Sequence, residues 1–337
     1  QNPGQDAAVL YSGDTGFYSG ASGLLTPLRA LGIPARVCPG VSSIQLLSAA
    51  LGRPWQDWKL VSAHGCACDP VAECMMNRSA FFLTGGTETP ASLCQKLTDA
   101  GMGEAHGVVG ENLGTEAEAI RYGSAAELAG QSFAPLSVLL VENFDLPQLR
   151  APGFPDESFI RSEVPMTKQE VRAAALAKLA VMPTDTLWDV GAGTGSVSVE
   201  LALAAPKGRV YAVECEPDAC ELIRKNRAKF QTYNLILIEG RAPDALADLP
   251  APDAVFIGGT KGGMEAVLDE VLGKNPNARI CISAIALETL GAAIAALTAR
   301  GLTAEVTQIA VSRTKPAGRL HLLMANNPIF LITGTRK

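Results

Sequence analysis

An apolar strand that ends in Asp189-Val190-Gly191-Ala192-Gly193-Thr194-Gly195 and runs straight into a helix limits what the second half of this chain can become. Glycines at alternate positions permit a tight turn and a close backbone approach, and the free N–H groups at the helix start attract an anion. In open α/β sheets, ligands bind where such turns leave the carboxyl ends of strands. The surrounding pattern agrees with that fold class. A helical stretch at 167–181 (TKQEVRAAALAKLAV) precedes the strand-like runs TLWDV, RVYAVE, LILIE, AVFIG and RICISA, with helical spacers between them. This alternation predicts a doubly wound, mostly parallel sheet with crossover helices. Two late runs, LTAEVTQIAVS and PIFLITG, have no helix between them and predict a closing antiparallel hairpin at one edge.

The spacing narrows the ligand. A dinucleotide fingerprint, G-x-G-x-x-G, would set its third glycine at position 196, where Ser196 stands. The observed G-x-G-x-G turn suits a nucleoside without a pyrophosphate, its amino-acid carboxylate near the helix start, as in S-adenosylmethionine. Glu214 ends the next strand, where a carboxylate can accept both ribose hydroxyls. Glu216 is the rival, but it starts the helix at Pro217 and suits a first-turn charge. Glu239-Gly240-Arg241-Ala242-Pro243 closes the third strand, placed to border an adenine.

The first half shows the same alternation in a looser form. Its strand candidates are AAVLY, ARVC, KLVSA, AFFLT, HGVVG and SVLLVEN, and the loops SGDTGFYSG, PGVSS and TGGTETP follow several of them. Between the halves, LPQLRAPGFPDESFIRSEVP (146–165) holds four prolines and no apolar period, which predicts a linker. The expected domains are therefore residues 1–150 and 151–337. Hydrophobic residues at 47% against 18% charged supply two cores and exclude a disordered chain. A net charge of −6 argues against a nucleic-acid partner, although a local basic pocket can still hold an anionic small molecule. Apolar runs fall short of the ~20 residues of a membrane span, and the opening residues lack a signal-peptide layout. A cytoplasmic enzyme with no membrane partner is expected. Cys66, Cys68 and Cys74 match no strong metal-ligand spacing and are expected to be reduced thiols, with no metal site.

Taken in order, MTKQEVRAAALAKL, LWDVGAGTGSVSVE, VYAVE, EGRAP and DAVFIGG closely resemble the decarboxylating methyltransferase domain of cobalamin (vitamin B12) biosynthesis. VLYSGDTGFYSG, PGVSSIQLLSAALGRPWQDWKLVSAHG, FFLTGGTETP and VVGENLGTE resemble the tetrapyrrole methylase family. Together they resemble the fused, decarboxylating precorrin-6Y C(5,15)-methyltransferase family over nearly the whole chain. The resemblance implies a tetrapyrrole methylase-like α/β domain followed by a class I, Rossmann-like methyltransferase domain. It also implies S-adenosylmethionine as donor, with S-adenosylhomocysteine as product. Thr167, Gly191, Ala192, Gly193, Thr194, Gly195, Glu214 and Ala242 match donor positions of the second domain. Ser12, Gly13, Asp14, Phe17, Ser43 and Ile44 match segments that line the donor in tetrapyrrole methylases. The implied substrate is a reduced tetrapyrrole bearing many carboxylates. The second domain is expected to methylate carbon 15 and decarboxylate the ring C acetate, and the first to methylate carbon 5, giving precorrin-8. A homo-oligomer is expected.

Four departures bear on these expectations. The chain opens at what would be the middle of the first domain's N-terminal lobe, so that domain's donor site is expected to be weakened and only one equivalent of donor to bind tightly. Thr15 stands where proline is usual after Gly-Asp, Cys66 replaces a basic residue after His-Gly, and Arg241 stands where the family usually has Asp. The chemistry needs alignment and water exclusion more than a dedicated base. Basic side chains should grip the substrate carboxylates, and the candidates are Lys168, Lys261, Arg313, Lys315 and Arg319, each of which can equally be a solvated charge. His64 and His321 are expected to be structural. The alternative reading makes the second half alone catalytic and the first a tetrapyrrole-binding or assembly platform.

Overall fold

The computed structural model describes residues 7–148 and 151–336. The chain forms two compact units, Gln1–Phe144 and Asp145–Lys337.

In the first unit, α1 (Ala21–Ala30) and α2 (Ser43–Leu51) precede β1 (Lys59–Ser62), α3 (Pro70–Met76), β2 (Ser79–Leu83), α4 (Pro90–Asp99), β3 (His106–Glu111), β4 (Ala119–Ser124), α5 (Ala125–Ala129) and β5 (Ser137–Glu142). The sheet order is β1-β2-β5-β3-β4. Strands β1 and β2 pair in parallel, but β5 lies antiparallel between β2 and β3, and β4 is antiparallel to β3. The crossover β2–α4–β3 thus leaves a gap one strand wide, which the apolar β5 fills with all six residues buried. This corrects the expected parallel sheet. AAVLY and ARVC are not strands: Val9, Leu10 and Val37 are exposed, and among the described residues no strand pairs with them to take up their backbone groups.

The second unit follows its sequence pattern more closely. Its elements are α6 (Gln169–Leu179), β6 (Thr186–Val190), α7 (Ser196–Ala204), β7 (Arg209–Glu214), α8 (Pro217–Phe230), β8 (Leu235–Glu239), β9 (Ala254–Ile257), α9 (Met264–Lys274), β10 (Arg279–Ala284), α10 (Leu287–Ala299), β11 (Thr303–Ile309), β12 (Ser312–Ala317), β13 (Leu320–Ala325) and β14 (Ile329–Thr335). The main sheet runs β11-β14-β10-β9-β6-β7-β8. Alternate strand residues separate to opposite faces. Leu187, Phe256 and Cys281 pack with α6, α7 and α8, while Trp188, Val255 and Ile280 pack with α9 and α10. From β6 the chain winds outward to β7 and β8, then returns to β9 and β10 on the other side. The β6/β9 boundary is therefore the switch point, where a ligand crevice is expected.

The closing edge is antiparallel, but β11 and β14 are not joined by a short turn. An extra hairpin, β12/β13, is inserted between them, with Gly318 at φ +63° in its two-residue turn. The expected linker is also corrected. A 3-10 turn at Asp156–Ser158 lies within it, and Phe154 and Phe159 are buried against Phe230 with ring centroids 5.2 and 4.8 Å away. Residues 149 and 150 of that stretch lie outside the described residues.

Candidate donor site

Strand β6 delivers the glycine turn to the switch point. Gly191, Gly193 and Gly195 all have positive φ, at +72°, +57° and +74°. Crowding adds to this most sharply at Gly191. A Cβ on Gly191 would lie 2.4 Å from the Gly259 carbonyl, and one on Gly193 would lie 3.3 Å from the Pro165 carbonyl. Only a bare backbone can pass between Gly191 and Gly259, while the fit is tight at Gly193 and at Gly195, where a Cβ would lie 3.0 Å from Ile223.

The turn opens on a cavity of about 510 Å³. Of the expected donor residues, Thr167, Gly191, Ala192, Gly193, Thr194, Glu214 and Ala242 line it. Gly195 does not; it caps α7 and faces Ile223. Apolar groups on the wall include Val164, Met166, Val190, Val213, Ile285 and Ile329.

Glu214 organises one side of this cavity. Its Oε2 accepts the Gly193 N–H at 2.8 Å, and its Oε1 accepts the Cys215 and Glu216 N–H groups at 2.7 and 3.0 Å. The carboxylate is thus fixed between two strand ends, with one acceptor site, on Oε2, left over for a hydroxyl donor. Thr194, also buried, has an Oγ1 with no hydrogen-bond partner among the described residues. That hydroxyl has next to no accessible surface of its own, so it lies behind the cavity wall rather than on it. Beneath the turn, burial pushes the Asp189 carboxyl up to about 7, and the nearby Glu214 charge adds to the rise, against the hydrogen bond from Ser198.

The cations divide. Lys261 lines the cavity with a left-handed backbone and pairs with Glu216. That pairing holds Glu216 below and Lys261 above their ordinary pKa values. Arg241, not expected as a ligand group, also lines the wall, with Nη2 donating to the Lys261 carbonyl at 3.2 Å. Lys168 is exposed beside Thr167 at the start of α6, off the wall. Arg313 is committed to Glu170 at 2.7 Å and Asp156 at 3.2 Å, which corrects its reading as a free anion-gripping group. Lys315 and Arg319 sit on the exposed β12/β13 hairpin, away from the cavity, as does His321.

In the first unit, two of the three loops singled out from the sequence, SGDTGFYSG and PGVSS, do meet. Asp14 accepts the Gly16 N–H at 2.6 Å and the Gly40 N–H at 3.3 Å, and its own N–H donates to Ser42 Oγ at 2.9 Å. This arrangement sets Ser12 and Gly13 beside the start of α2, where Ser43 is half-buried and Ile44 is buried. Phe17 packs on the core beside Phe81. A separate cavity in this unit, about 470 Å³, is lined instead by Thr84–Gly86 and by residues of the 131–137 loop. His64 holds the Thr84 carbonyl at 3.2 Å. Burial pushes the Cys68 thiol up to about 11, and Cys74 is fully buried.

Comparison with known proteins agrees with this geometry. Residues 158–336 match the model of the precorrin methyltransferase domain, and residues 2–129 that of the tetrapyrrole (corrin/porphyrin) methylases. A precorrin-6Y C(5,15)-methyltransferase [decarboxylating] from Sinorhizobium sp is 34% identical over 273 residues, covering 79% of this chain and 66% of that protein. A cobalt-precorrin-6B C(15)-methyltransferase (decarboxylating) from Salmonella typhimurium is 41% identical over 180 residues, covering 52% of this chain and 93% of that protein. The solved structure of a precorrin-6Y C5,15-methyltransferase from Geobacter metallireducens superposes with a TM-score of 0.54 and 38% identity, covering 57% of this chain and all of that one. With the glycine turn, Glu214 and the switch-point cavity in place within the matched region, the chain belongs to the precorrin methyltransferase family, preceded by a half that matches the tetrapyrrole methylases.

Proposed function

We propose that the second unit binds S-adenosylmethionine in the cavity between Gly191 and Glu214. There it methylates a precorrin at carbon 15 and releases the ring C acetate carboxyl as CO2, a step of cobalamin biosynthesis. The first unit carries methylation at carbon 5. The observation that carries this reading is the preformed cavity at the switch point, with a fixed carboxylate on one wall and the positive-φ glycine turn on another. Its volume of about 510 Å³ suits a nucleoside-sized ligand.

When bound, the donor supplies a methyl group on positively charged sulfur, which is electrophilic without further activation. The protein's part is to hold and orient. Glu214 offers its remaining acceptor site to a ribose hydroxyl, the α7 start offers N–H groups to a carboxylate, and Ala242 borders the base. The apolar wall formed by Met166, Ile285 and Ile329 keeps water from the reacting carbon. Electrons left by CO2 pass into the macrocycle, so no side-chain base is demanded. Arg241 on the cavity wall offers its guanidinium to a substrate carboxylate, and Lys261 does so once it leaves Glu216. Calorimetric titration with S-adenosylhomocysteine tests the site. Binding that is lost when the glycine turn is altered supports it, and an absence of binding by the parent protein refutes it.

A further inference from the structure

The buried polar groups left unused by this chemistry gather under residues 153–167 of the second unit. The C-terminal end of this strap borders the cavity, with Val164, Pro165, Met166 and Thr167 on its wall. The strap is held at three places. At its two ends, the wholly buried Arg172 donates Nε to Glu200 at 2.8 Å and Nη1 to Asp156 at 2.9 Å, and also bonds the Thr167 carbonyl. Glu200 in turn accepts the N–H groups of Gly153 and Phe154 at 2.7 and 3.1 Å. In its middle, the wholly buried Asn226 of α8 accepts the Ile160 N–H at 2.8 Å and donates to the Ile160 carbonyl at 3.0 Å. The same amide donates to the Thr194 carbonyl in the glycine turn at 2.9 Å.

We propose that Asn226 is a positioning residue for the methyl donor, fixing the strap against the glycine turn so that the cavity exists before the ligand arrives. This rests on the assignment of the cavity as the donor site. The argument is one of preorganisation. Without the amide, one N–H and two carbonyls lose their buried partner, and the strap must be ordered at the moment of binding, which weakens affinity. Asn226 does not line the cavity. Once the donor is seated, the rate of the chemical step should therefore change little, and the loss should fall on KM.

The test compares Asn226→Ala in the full chain with the parent and with Val271→Ala, a core change in α9 on the opposite face of the sheet. Asn226→Ala should raise the Kd for S-adenosylhomocysteine and the donor KM by about tenfold or more, with kcat within about twofold of the parent. Val271→Ala should lower Tm and leave Kd unchanged. An Asn226→Ala protein that binds as tightly as the parent, or that loses no more affinity than Val271→Ala, overturns the proposal. A parent that fails to bind S-adenosylhomocysteine overturns the site assignment as well. Should Asn226→Ala fail to fold, hydrogen exchange on the unmodified protein decides the matter. Ligand should slow exchange at Ile160 together with residues 191–196, and slowing confined to the glycine turn overturns the proposal.

Discussion

One carboxylate, that of Glu214, accepts three backbone N–H groups while facing the cavity. Its removal should therefore cost ligand contacts and also loosen the walls that make them. Glu214→Ala is expected to weaken S-adenosylhomocysteine by at least roughly 1.5–3 kcal/mol, the scale of charge-assisted hydrogen bonds; unchanged affinity in calorimetry would refute its role. Asp189 has the opposite character. Its carboxyl is pushed up to about 7 by burial, from 3.8 in the unfolded chain. The folded state thus holds this proton more tightly, so the associated stability is complete below about pH 4 and disappears as pH rises through 7. Asp189→Asn should remove that dependence. Relative to the parent, it should gain stability between about pH 4 and 7, on the order of a few kcal/mol, as read from denaturant unfolding of the second unit. A difference that is flat with pH would show that Asp189 is already ionised in the folded protein. Glu214 was legible in the sequence because it ends a strand at a set distance from the glycine turn. Arg172, Glu200 and Asn226 were passed over because single polar residues in helices look like surface residues. The available signal was their position on the buried stripes: Arg172 beside Val171 and in line with Leu176, Glu200 between Val199 and Leu201.

The turn and the sheet edge show why elements differ in legibility. Where alternate residues are buried on two faces, as in β6, β7 and β9, apolar runs mark the strand directly. Strands β4 and β12 are largely exposed and carry Arg121, Arg313, Lys315 and Pro316, so no apolar period announces them, whereas β13 (LHLLMA) is an apolar run that stays exposed. The antiparallel insertion of β5 in the first unit depends on which gap the earlier crossover leaves, a property of topology rather than of any local run. The glycine turn offers a sharp test at this scale. Gly191→Ala places a Cβ 2.4 Å from the Gly259 carbonyl at φ +72° and should lower stability by at least about 2 kcal/mol. An added Cβ at Gly259 meets nothing within 4 Å, so Gly259→Ala should leave Tm within about a degree of the parent. Equal thermal shifts for the two variants would mean that the close approach at Gly191 is not what requires glycine there.

At the scale of the whole chain, the two units each own a sheet and a core, and the Pro-rich stretch once expected as a linker packs its aromatics into the second core. A second-unit protein should accordingly begin near Asp145 and retain Phe154 and Phe159, and it should fold cooperatively by itself. The proposed division of labour rests on substrate geometry. Carbon 15 and the ring C acetate are close together on the macrocycle, so one docked pose can bring both to one donor site, whereas carbon 5 lies across the ring and requires a second docking. The most direct measurement is mass spectrometry of the product formed when residues 145–337 are incubated with S-adenosylmethionine and the precorrin substrate. The expected product has gained one methyl group and lost one CO2. A product with two added methyl groups, or one that keeps the acetate carboxyl, would contradict the assignment of both reactions to the second unit.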